Sequence, residues 1–139
     1  MTPKPRFVIF AHNGTYDKLH QVATLGLTAA AMGKEVTVVL MFWTIKKLAE
    51  GRIDEMDFPS DHVGSGDEIR ALLRAKQVPS ISEMFKDSKL VGDFQLVACS
   101  AGLEYMGVNG DTVTRLVDSV MGLPAILTVT AGAETTLFI

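Results

Sequence analysis

Cysteine is almost missing from this chain of 139 residues, which carries a single one, Cys99. A lone thiol closes no internal disulfide, so a disulfide-stapled secreted scaffold is excluded. A free thiol persists best in a reducing compartment, and the cytoplasm is the expected location. Charge of one sign is scarce as well. Thirteen Lys and Arg against sixteen Asp and Glu leave a formal charge of -3, and the longest basic run is the pair Lys46-Lys47. No nucleic-acid partner and no membrane-surface partner is expected from that pattern. Long hydrophobic runs are absent, because the first apolar segment, Phe7-Val8-Ile9-Phe10, is interrupted by His12-Asn13-Gly14. Neither a signal peptide nor a spanning helix fits.

Recognised chemical fingerprints are missing too. His12, His20, His62 and Cys99 lie far apart without short ligand spacing, so no metal is expected. The chain has no Gly-x-Ser-x-Gly elbow and no phosphate-binding glycine motif after the first apolar segment, so no serine-hydrolase site and no organic cofactor is expected.

What the chain does have is apolar side chain: 47% of its residues are hydrophobic, with seven Met and a mean hydropathy of +0.25. This suits one domain over residues 1–139 with one core, and leaves enough apolar surface over to expect a homo-oligomer. Phe7-Val8-Ile9-Phe10 reads as a buried strand. Thr15 caps a helix with Asp17 in its first turn and Leu19, Val22, Ala23, Gly26, Ala29 and Ala30 on its buried face, ended by Gly33. Residues 36–42 read as a second strand and 44–50 as a short helix. Residues 52–66 show no apolar period and read as a surface loop. A helix follows over 67–76, then a capping box at Ser80-Ile81-Ser82-Glu83 opens another. Phe94-Gln95-Leu96-Val97-Ala98 is a strand that ends at Cys99-Ser100-Ala101-Gly102. Asn109-Gly110-Asp111 caps a helix carrying Val113, Leu116, Val117, Val120 and Met121 and stopped by Gly122. Residues 125–129 and 135–139 read as strands. The alternation predicts a three-layer α/β/α sandwich on a mostly parallel sheet of about five strands.

In such sheets the loops at the carboxyl ends of the strands form the ligand crevice. Two loops therefore carry the candidate chemistry, His12-Asn13-Gly14-Thr15 after the first strand and Cys99-Ser100-Ala101-Gly102 after a later one. At the second, Cys99 faces backbone N–H groups of a helix start, which favour the thiolate, the nucleophilic form. The alternative reading of Cys99 is a small buried apolar side chain. His12 is either a polar loop residue or a proton carrier paired with Cys99. Asn13, Gly14 and Thr15 at the first helix start, with Ser100 at the second, are the candidate substrate- or anion-binding residues.

Several blocks resemble the DsrE/DsrF-like proteins. They are Phe10-Ala11-His12-Asn13-Gly14-Thr15-Tyr16-Asp17-Lys18, Ala29-Ala30-Ala31-Met32-Gly33-Lys34-Glu35-Val36 and Met41-Phe42-Trp43-Thr44. Pro79-Ser80-Ile81-Ser82-Glu83, Leu96-Val97-Ala98-Cys99-Ser100, Leu103-Glu104-Tyr105-Met106-Gly107 and Thr136-Leu137-Phe138-Ile139 are similar to a DsrE subgroup with a cysteine after the third strand. The resemblance covers nearly the whole chain, although residues 52–66 are shorter than the insertion of that subgroup. It implies a sulfur relay, as sulfur carrier or sulfurtransferase. Cys99 would accept sulfane sulfur as a persulfide and pass it to a partner protein with a reactive thiol, in a trimer or hexamer. Two other classes stand beside it: a small anion- or nucleotide-binding module with Cys99 as a spectator, and a one-cysteine redox sensor.

Overall fold

The computed structural model describes residues 2–139. Five strands form one sheet: β1 (Arg6–Ala11), β2 (Glu35–Leu40), β3 (Asp93–Cys99), β4 (Ser119–Met121) and β5 (Thr135–Phe138). Their order is β4-β3-β2-β1-β5 and every pairing is parallel. The helices are α1 (Tyr16–Ala31), α2 (Trp43–Ala49), α3 (Gly66–Ala75), α4 (Ile81–Val91), α5 (Ser100–Tyr105), α6 (Gly110–Thr114) and α7 (Leu123–Thr130). The expected α/β sandwich is therefore the observed fold. No described helix is long and apolar enough to cross a membrane.

Apolar periodicity explains why α1 and α4 pack where they do. Leu19, Val22 and Ala23 of α1, with Ile81, Met84 and Phe85 of α4, are buried against Ile9, Val36, Val38, Phe94 and Leu96 of the sheet. Full burial of a branched apolar side chain is worth about 1.5–3 kcal/mol, so this face is the main source of stability. Successive strands step one way from β1 to β4, whereas β5 returns to the far side of β1. A right-handed return crossover puts α7 on the opposite face. Cover there is thin: Ile126 is the one fully buried residue of α7, while Leu123 and Leu127 are exposed.

Two elements differ from the sequence reading. Residues 119–121 are strand β4 where a helix running to Gly122 was expected, and 125–129 lie in helix α7 where a strand was expected. The helix begun at Asn109 stops at Thr114. Asp118 then donates its N–H to Leu96 O, and its carboxylate accepts from Leu96 N–H (2.7 Å), which draws the following residues into the sheet beside β3. The apolar run after Gly122 has no period that separates strand from helix, and Pro124 in the first turn favours the helix. Smaller shifts occur as well. Strand β2 ends at Leu40 rather than at residue 42, and residues 60–65 of the expected loop form a 3-10 helix. The expected capping box of Ser80 and Glu83 is present.

Glycine matters sterically where α4 hands over to β3. A Cβ on Gly92 would sit 2.5 Å from the carbonyl oxygen of Ala30, at the end of α1. Backbone at both sides leaves nothing flexible to yield. Gly92→Ala is accordingly expected to cost about 1–3 kcal/mol, as overpacking does. Urea unfolding should show a lower midpoint at an unchanged slope, and wild-type stability would mean that α1 and β3 have room to separate.

Candidate functional site

The carboxyl edge of the sheet holds an open cavity of about 510 Å³. Its walls include the predicted turn His12, Asn13, Gly14 and Thr15, met from across by Trp43 and Lys46 of α2 and by Arg52. Sequence reasoning placed the first four and missed the rest. The one available signal was Lys46-Lys47, the sole basic pair, about one helical turn beyond the aromatic pair Phe42-Trp43. The turn itself is held by the last strand, since the N–H of His12 donates to Ile139 O (2.9 Å).

Beneath the cavity lies Lys47, which is only 4% exposed. Its ammonium donates to Gly14 O (2.9 Å), to Glu55 O (3.0 Å) and to the Asp57 carboxylate. All three N–H donors are thereby used, which is what makes a buried ammonium tolerable. Asp57 has a second role. Its Oδ1 and its own carbonyl oxygen both accept from Tyr16 N–H, at 3.1 and 2.9 Å, the first residue of α1. The start of a 16-residue helix attracts an anion, and here the chain supplies that anion itself.

This corrects two expectations at the first turn. Thr15 is the N-cap residue of α1, but its side chain makes no cap bond; its hydroxyl donates to Asn13 Oδ1 (3.0 Å) instead. Asn13 Oδ1 also accepts from Thr15 N–H (3.1 Å), so Asn13 closes the turn on itself. Arg52 is likewise engaged, donating to Glu55 (2.7 Å) and Glu50 (2.6 Å). Those carboxylates, Glu55 first, raise its pKa further. Next to the site, Tyr16 is 3% exposed and its hydroxyl has no partner. Burial, and secondarily the charge of Asp54, raises its pKa, so the phenol stays neutral.

Cys99 stands elsewhere. It ends β3 and is the N-cap residue of α5, with no side-chain cap bond, opposite Met121 of β4 in register. It is 1% exposed and belongs to the core cluster, while its neighbour Ser100 is exposed. Strand β2 lies between β3 and β1, which separates the ends of β3 and β1 by about 10 Å at ordinary strand spacing. Cys99 and Ser100 do not line the cavity that holds His12. The expected pairing of His12 with Cys99 is thus not formed.

Between these two places the chain is strained. Phe42, at the start of α2, has φ 50° and ψ -112°, a conformation that favours glycine. Its neighbour Thr44 anchors the turn, donating to Ala11 O (2.8 Å) and accepting from Met41 N–H (3.0 Å). Gly102 of α5 lets the turn come close, since a Cβ there would lie 3.4 Å from Phe42 N and 2.7 Å from Ile45 Cδ1. The Phe42 ring is tilted against Tyr105, centroids 6.4 Å apart, and both are exposed beside Trp43.

Comparison of the chain with protein-family models and with curated proteins finds no match.

Two outcomes follow from this geometry. Asp57→Ala should lose about 2–3 kcal/mol, less than a fully buried pair because Asp57 is one-third exposed. Acetate should restore part of its melting temperature, relative to chloride at equal ionic strength, and leave wild type unmoved. Equal responses would mean that the anion position is not one that opens. At Phe42, the glycine variant should be more stable than the alanine variant by about 1 kcal/mol, the reverse of the usual order, because only glycine removes the strain. Urea midpoints of the two variants decide it.

Proposed function

We propose that the protein is a sulfur carrier or sulfurtransferase, with Cys99 as the acceptor of sulfane sulfur. The carrying observation is the position of the only thiol, at the carboxyl end of the inner strand β3 and at the start of α5, with no side chain capping that helix. The resemblance to the DsrE subgroup assigns the relay to the same residue. The Cys99 thiolate attacks the terminal sulfur of a polysulfide, which leaves one sulfur shorter, and a persulfide remains. A partner thiolate then attacks the outer sulfur and regenerates Cys99, so the cycle needs no cofactor and no net oxidant.

Burial of the thiol sets a condition on this reading. Transfer requires the cover to open, and the nearby elements are short, six residues in α5 and three in β4, and carry little packing of their own. His12 lies outside this chemistry, since β2 separates the two strand ends. Exposed Leu123, Leu127 and Phe138 on α7 and β5 support a homo-oligomer, a trimer or hexamer by the resemblance. The single free thiol supports a cytoplasmic setting.

A second reading, a small-anion or nucleotide-binding module, is favoured by one observation: the open cavity with Trp43, Lys46 and His12 on its walls, away from Cys99.

Intact mass after polysulfide treatment separates the two. Wild type should gain about 32 Da, removable by dithiothreitol, and Cys99→Ser should gain none. Labelling should level off with polysulfide concentration, as opening of the cover becomes limiting. A thiol that alkylates with iodoacetamide yet takes up no sulfur would overturn the relay and leave the binding module.

A further inference from the structure

We propose that a groove between α4 and the end of α2 binds a small amphipathic carboxylic acid. Its apolar body would rest on the core and its carboxylate beside Lys86. The groove encloses about 420 Å³ on the face of the sheet that α1 and α4 cover. Its floor is made of core side chains, Leu48, Ile53, Phe85 and Leu96, each less than 10% exposed. The opening has a cause in the chain. A parallel crossover usually lays one substantial helix over the strands it joins, but between β3 and β4 this chain has only α5 and α6, of six and five residues. The layer over β3 is left incomplete, and the core shows through.

Charge at the mouth selects the ligand. Lys86 and Lys89, three residues apart, are neighbours on the surface of α4, and both line the groove with Phe85. Lys89 donates to Asp118 (2.7 Å), whose other oxygen is taken by Leu96 N–H. Lys86 is exposed and has no ion pair or hydrogen bond among the described residues. No Asp or Glu lines the groove. An anion is therefore favoured over a cation, and an apolar body over a polar one. The size suits one molecule of about eight to twelve carbons, within the range of small-ligand pockets. A helix or loop of another protein would need a surface of roughly 800 Å² to hold, well beyond this slot. The inference rests on α4 and does not involve Cys99.

Sodium octanoate is the probe, titrated into the full chain by calorimetry and amide NMR shifts. Saturable one-to-one binding with a Kd of about 1 mM or tighter is expected, with shifts centred on Phe85 and Leu96. Octyltrimethylammonium should bind roughly tenfold more weakly. Lys86→Gln, at an exposed position, should weaken octanoate about fivefold and leave octanol within about twofold. Ala49→Leu, which narrows the groove, should weaken octanoate and octanol alike, with circular dichroism confirming that both variants are folded. Absence of saturation, equal affinity for the cationic and anionic probes, or indifference to Lys86→Gln would overturn the proposal. So would a dimer in solution that buries this groove and that octanoate does not dissociate.

Discussion

A buried ammonium holds the carboxyl edge of this protein together. Lys47 is almost wholly withdrawn from water, so its charge must be met by the chain, and two separate segments meet it: the turn at Gly14, and the stretch after α2 through the carbonyl of Glu55 and the carboxylate of Asp57. Because Asp57 also binds the first N–H of α1, one ion pair joins the β1 turn, α2 and the segment that follows α2. An unpaired charge at that depth would cost more than a surface pair contributes, so the geometry of the cavity walls depends on this contact. The candidate anion position at α1 is filled from within for the same reason.

That arrangement divides the chemistry of the edge. The open cavity and the only thiol lie at the ends of different strands with β2 between them, and the strained turn at Phe42 fills the space above β2. A nucleophile buried under short elements can react only as fast as those elements open, whereas groups on the cavity walls are reachable at all times. The relay and the binding module therefore make different kinetic demands on the same fold. Thin cover on the α7 face and the incomplete layer over β3 have a common origin, a chain of this length spending few residues on the crossovers after β3.

How much was legible follows from which signals are local. Strands β1 and β3, helix α1 with its buried face, and the capping box of α4 were all readable, because apolar period and cap chemistry act within a few residues. The stretch from Asn109 to Thr130 was not. Val113, Leu116, Val117, Val120 and Met121 keep helical spacing, yet the chain gives up the helix after Thr114 because the backbone and carboxylate of Asp118 bond to Leu96, a residue 22 positions away. The following apolar run is a helix because it must cross the sheet to reach β1, which no local pattern records.

The sequence by itself determined the class of fold, the parallel order implied by alternating elements, and the two turns that reach the carboxyl edge, since these depend on side-chain period and turn residues. It also determined that Cys99 stands at a strand end and that any thiol chemistry must be its own. Tertiary structure alone decided that Cys99 is covered and apart from His12, that Asp57 occupies the start of α1, and that Lys46, Arg52 and Trp43 join the turn at His12. Those facts depend on strand order and on contacts between segments tens of residues apart, where packing and the need to satisfy buried charge override anything a short window of sequence can express.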